Sequence, residues 1–140
     1  MDKVIQSLHH VTATVDDAQE DVDFYVKALG MRLVKKTVNF DNHNVYHFYY
    51  GNEQGSPNTL MTTFPYKGWG VPPGTHGAGQ VTVTSFSVPD GSLDAWRGRL
   101  RAAGLKLREE LVRLGVQVTP VKDRQYFRSI LLPRAGWRPV

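Results

Sequence analysis

The residues with the most chemistry in this 140-residue chain stand near its start, in Leu8-His9-His10-Val11-Thr12-Ala13-Thr14-Val15. Alternation of this kind reads as a β-strand. It sends His10, Thr12 and Thr14 to one face and His9, Val11, Ala13 and Val15 to the other. An imidazole flanked by two hydroxyls on a polar strand face is the beginning of a metal or ligand cleft. Taken alone, the same residue also fits a half-buried, hydrogen-bonded strand histidine. His9 falls on the helix-packing face and reads as structural. His47 lies in the aromatic run Val45-Tyr46-His47-Phe48-Tyr49-Tyr50 and either reaches a cleft or packs. His43 and His76 sit in turn-like segments and carry no signal. With no cysteine, thiolate chemistry and disulfides are excluded.

These residues need elements to position them. Asp16-Asp17 ends the first strand and offers a helix cap, with Glu20 and Asp21 in the first turn, where the helix dipole favours them. Ala18, Val22, Tyr25, Val26 and Leu29 recur at helical spacing, and Gly30 fits the position just after a helix end. Strands are expected over 31–40, 45–50 and 59–64, parted by turns at 41–44 and 55–58. The order is β-α-β-β-β over 1–66. Residues 67–79 hold five glycines and two prolines and read as a linker. From residue 80 the opening pattern returns: a strand over 80–88, a turn at 89–92, then Leu93, Trp96, Leu100 and Ala103 on one helical face, stopped by Gly104. Val88 falls on Val15 and Val83 on His10, an offset of about 73 residues that suggests an internal repeat. After it the plan changes to a helix over 106–114 and strands over 116–121 and 125–132.

Composition sets the outer limits. Hydrophobic content of 41%, charged content of 21% and a net charge of +4 describe one globular domain or two small modules sharing a core. There is no bilayer-spanning run and no leader-like start, and the absence of cysteine suits the cytoplasm. Late basic residues such as Arg97, Arg99, Arg101 and Lys106 are interrupted by acids and accompany no nucleic-acid motif. They read as a solvated helix face, so neither nucleic acid nor membrane is an expected partner.

Tandem β-α-β-β-β modules opening on "LHHVTATVDDAQEDVDFYVKALGMRLV" resemble the vicinal oxygen chelate superfamily, which unites glyoxalases, bleomycin-resistance proteins and extradiol dioxygenases. "VKKTVNFDNHNVYHFYYGNEQGSPNTLMTTFP" and "GAGQVTVTSFSVPDGSLDAWRGRL" look like its ring-cleaving branch, which acts on hydroquinone-type aromatics. The resemblance implies an α+β fold with residues 80–140 as a second, incomplete module. It also implies Fe(II) or Mn(II) held by two histidines and a carboxylate, a set that leaves positions open for substrate and dioxygen. In that branch His10 corresponds to a metal ligand, Thr12 to a residue beside the substrate, and Arg124 in "KDRQYF" to a substrate-side arginine.

The rest of that ligand set is missing from the expected places. The fourth strand offers Leu60, Met61, Thr62 and Thr63 but no carboxylate, and Val83 stands where a second-module ligand would be. "LREELVRLGVQVTPVKDRQYFRSI" resembles the last of four modules in the longer enzymes, which implies a deletion near residues 104–107. The tail from Leu131 to Val140 stands where the family has a glutamate-bearing ending; the expectation is a single-base frameshift after Ile130, the alternative a divergent basic tail. The resulting expectation is a dioxygenase-derived protein with an incomplete metal site. The alternatives are a metal-free binder of the bleomycin-resistance type or a gene remnant. Unpaired sheet edges point to a homodimer, possible by domain swapping, with an aromatic small molecule as ligand.

Overall fold

A computed structural model of the chain describes residues 7–72, 74, 84–105, 123–124 and 127–131. They fall into two compact units, one holding residues 7–72 and the other the described residues from 74 onward. The fold is α+β. In the first unit, β1 (His10–Val15), β2 (Arg32–Val38), β3 (Tyr46–Gly51) and β4 (Leu60–Pro65) form one sheet in the order β1-β4-β3-β2. β1 runs parallel to β4, while β4, β3 and β2 form an antiparallel meander. The β-α-β-β-β order expected from the sequence is the order found, with strand ends differing by a residue or two.

Helix α1 (Ala18–Val22) starts where the sequence places its cap. Asp17 accepts hydrogen bonds from the backbone N–H groups of Gln19 and Glu20 at 2.8 and 2.9 Å, satisfying two donors that the helix cannot. From Asp23 to Ala28 the helix widens into π turns, marked by the Leu29 N–H to Phe24 carbonyl bond of 3.0 Å. Gly30 then turns the chain out at φ 67°, a left-handed conformation that suits glycine.

The buried helical residues are Asp21, Tyr25, Ala28 and Leu29. The face is therefore rotated by about one position from the apolar stripe read in the sequence, and Val22 and Val26 are half-buried. The cause is Asp21, whose carboxylate is tied down by hydroxyls of β3 and β4. Against this face the sheet places Ala13, Val15, Phe48, Tyr50 and Met61, with Tyr25 stacked on Tyr50 at 4.5 Å between ring centroids. That apolar layer is the core of the unit. Its other sheet face carries the candidate site.

The second unit contains β5 (Ser85–Ser87), α2 (Leu93–Ala102), β6 (Asp123–Arg124) and β7 (Phe127–Leu131), with antiparallel strands in the order β5-β7-β6. α2 buries Leu100, half-buries Leu93 and Trp96, and ends at Ala102 just before Gly104, while Ala103, expected on the same face, is exposed. The expected helix over 106–114, the strand over 116–121, Val83, His76 and the tail from 132 lie outside the described residues.

Candidate functional site

β1 reaches the site through its register with β4. His10 pairs with Leu60, Thr12 with Thr62 and Thr14 with Phe64. Across β3 and β2 the middle row continues through Tyr49 and Lys35. His47 and Thr37, paired with each other, lie two residues from these along their strands and so share the face. The sheet thus presents His10, Thr12, Thr14, Thr62, Phe64, His47, Tyr49 and Lys35 on the side away from α1. The first strand's polar face, read from alternation, is this open face.

His10 is exposed, and so is His9. The sequence placed His9 under the helix; instead it precedes the paired part of β1 and turns back, its Nδ1 lying 2.9 Å from His10 Nδ1. One of the two nitrogens donates to the other, which commits His10 Nδ1 and leaves Nε2 outside that contact. Thr12 and Thr62 share a hydrogen bond of 2.8 Å between their hydroxyls. Thr62 is fully buried beneath this pair, and Thr12 is the exposed member.

His47 lies half-buried on the same face, packed among aromatic rings. Its ring lies 4.0 Å from Phe64 and 4.2 Å from Tyr49, centroid to centroid, and its Nδ1 is 3.1 Å from the Tyr49 hydroxyl. Nε2 is shielded from solvent and has no hydrogen-bond partner among the described residues. Burial, and then the charges of His10 and Lys35, hold the imidazole below its ordinary pKa and favour the neutral ring. The usable signal was the spacing of two between His47 and Tyr49, which puts both side chains on one strand face.

On the opposite sheet face a buried polar cluster went unread. Asp21 Oδ2 accepts from the Tyr50 hydroxyl at 2.7 Å and from the Thr63 hydroxyl, while Oδ1 has no partner. Desolvation raises the Asp21 pKa against the pull of the two hydroxyls, and burial with the adjacent carboxylate pushes the Tyr50 phenol up. Asp21 serves the core and does not face His10.

Arg124 lies in β6 of the second unit, and its side chain is outside the described residues. His43 is exposed in the turn before β3. Among the described residues no three or more histidines and carboxylates gather as a metal site. Two imidazoles and a carboxylate on one side of an ion are therefore not met by the described open face. Its imidazoles are His10 and His47, and the nearest strand positions carry hydroxyls and aromatic rings. No helix among the described residues is long and apolar enough to cross a membrane.

The chain is similar to known proteins. A protein of Bacillus subtilis (strain 168), named as a candidate ring-cleaving dioxygenase, MhqE, is 54% identical over 105 residues, 75% of this chain and 34% of its own. The chlorohydroquinone/hydroquinone 1,2-dioxygenase of Sphingobium indicum (strain UT26S) is 43% identical over 135 residues, 94% of this chain and 38% of the enzyme. The chain thus spans about a third of the length of these relatives. The crystal structure of a candidate dioxygenase from Bacillus subtilis superposes with a TM-score of 0.66 at 44% identity, covering 71% of this chain and 32% of that one. Sharing the fold alone, at 10% identity and a TM-score of 0.58, is the fosfomycin resistance protein FosX of Listeria monocytogenes, solved with Mn(II). That match covers 95% of this chain and 88% of FosX. Residues 7–127 match the family described as glyoxalase/bleomycin resistance protein/dioxygenase. With a strand-helix-meander unit, a polar first strand and dioxygenase relatives at this identity, the chain belongs to the glyoxalase/bleomycin resistance protein/dioxygenase superfamily.

Proposed function

We propose that the open face of the first unit binds a hydroxylated aromatic compound of the kind named for the ring-cleaving relatives, and that the chain descends from an Fe(II)-dependent extradiol dioxygenase. The observation that carries this is the pairing on one sheet face of hydroxyl groups (Thr12 and Thr62) with an aromatic cluster (Phe64, His47 and Tyr49). Hydroxyls hydrogen-bond ring substituents while flat side chains cover the ring, the usual division of labour in a small-molecule site. Thr12 takes the substrate side of that face.

The metal is a separate matter. His10 is the proposed ligand for Fe(II) or Mn(II), and ferrous chemistry would activate dioxygen beside a bound ring. A single imidazole holds such an ion poorly, because affinity comes from several preoriented donors. The described residues supply no carboxylate to complete the set, so binding without ring cleavage is the proposed activity of this chain. The second reading, a working dioxygenase, is favoured by the identity to the hydroquinone enzyme. It requires further ligands from outside the described residues or from a second subunit of a homodimer.

One set of measurements separates the readings. The purified chain is analysed for metal, titrated with hydroquinone by calorimetry under argon, and assayed for oxygen uptake with added Fe(II). Binding without stoichiometric metal or oxygen uptake supports the proposal. Stoichiometric iron, lost in His10→Ala together with oxygen consumption, establishes the second reading instead. Absence of hydroquinone binding in every condition overturns both.

A further inference from the structure

We propose that His47 is the positioning residue of this face: its Nε2 hydrogen-bonds a ring hydroxyl of the ligand while Phe64 and Tyr49 hold the imidazole in place. The inference rests on the aromatic-binding reading above and adds the residue that sets the ligand's orientation.

Most buried side-chain nitrogens have a partner, since leaving one unmade is costly. His47 Nε2 has none. None of the described neighbours supplies one. Phe64 offers only a ring face at 4.0 Å, and the Tyr49 hydroxyl is already committed to Nδ1. Packing has fixed the ring all the same, with an aromatic on either side. A rigid ring with an unmet hydrogen bond is what a site looks like before its ligand arrives.

Tautomer chemistry narrows the ligand class. If the Tyr49 hydroxyl donates to Nδ1, then Nε2 carries the proton and donates; in the other tautomer Nε2 accepts. A phenolic hydroxyl answers either state, because it both donates and accepts. In this row Thr37 pairs with His47, and Thr14 pairs with Phe64 on the far side. The charged and titratable groups facing His47 are Tyr49 on its own strand, His10 from β1 and Lys35 from β2; burial first, and then the charges of His10 and Lys35, favour the neutral imidazole. Lys35 also lies 5.5 Å over the Tyr49 ring.

The test compares two ligands of similar shape, hydroquinone and p-xylene, in wild type, His47→Phe and His47→Gln, with folding checked by circular dichroism. Phenylalanine keeps a flat ring between Phe64 and Tyr49 but has no nitrogen. The expected result is a preference of wild type for hydroquinone that falls about five- to tenfold in His47→Phe, the worth of one hydrogen bond. Affinity for p-xylene stays unchanged, and His47→Gln recovers part of the preference. If the folded variants keep the wild-type preference, His47 does not orient the ligand and the inference is wrong. If wild type binds neither compound, the binding reading itself falls and takes the inference with it.

Discussion

Replacing Asp21 by asparagine isolates the energetics of the buried carboxylate. Asp21 is 1% exposed, and its hydrogen-bond partners are two neutral hydroxyls, those of Tyr50 and Thr63, both themselves fully buried. Burial raises its pKa more than the hydroxyls lower it. A carboxylate whose folded pKa lies above its unfolded one contributes stability that is fully present below the unfolded value, about 3.9. That contribution is lost as pH rises through the folded value. Asparagine keeps an acceptor for both hydroxyls and does not ionise. The stability of Asp21→Asn relative to wild type should therefore rise between pH 4 and pH 7, by about 1.4 kcal/mol for each unit of upward shift. Asp21→Ala leaves both hydroxyls without an acceptor and should cost about 2–6 kcal/mol at low pH, from about 1–3 kcal/mol for each orphaned group, and less as pH rises, because alanine does not ionise either. Urea unfolding at several pH values reads both effects. The difference between variant and wild type matters, because Asp17, held below the ordinary carboxylate range by the helix N–H groups and Lys67, gives the opposite slope. Parallel pH curves for wild type and Asp21→Asn would refute the account of the cluster.

The open face and its turns give two more expectations. Thr12→Val takes the partner from the buried Thr62 hydroxyl and should destabilise the unit by about 1–3 kcal/mol in thermal or urea unfolding. The double change Thr12→Val with Thr62→Val, which removes both polar atoms, should recover most of that loss. Gly55→Ala should cost about 1–3 kcal/mol, since φ is +63° and an added Cβ would lie 2.7 Å from Val34 Cγ1. Val34→Ala in the same chain should restore part of it; full additivity would show that backbone strain alone is responsible.

The sequence made the first unit legible because its signals are local. Alternation in His10–Val15, the Asp17 cap and the glycine after the helix each act within a few residues, and each is found where expected. Asp21 was misread for the complementary reason. In the first turn of a helix an acid suits the dipole, and nothing nearby reveals that Tyr50 and Thr63, twenty-nine and forty-two residues on, will enclose it. The same contacts turn the helix and replace an apolar stripe with a mixed one. His9 followed the alternation on paper but lies before the first β1–β4 pair, where pairing no longer dictates its side. His47 shows a third kind of gap. Its strand was evident, but its partners come from a register that only the assembled sheet defines.

The parallel pairing of β1 with β4 has a kinetic consequence. β2, β3 and β4 zip together as neighbours along the chain, whereas His10 meets its partner fifty residues later. Long-range strand pairing is slow, because the intervening loop must close before any contact rewards it. The strand bearing His10 and Thr12 therefore docks last, onto a meander already formed. A nascent chain completes this sheet only once Pro65 has left the ribosome.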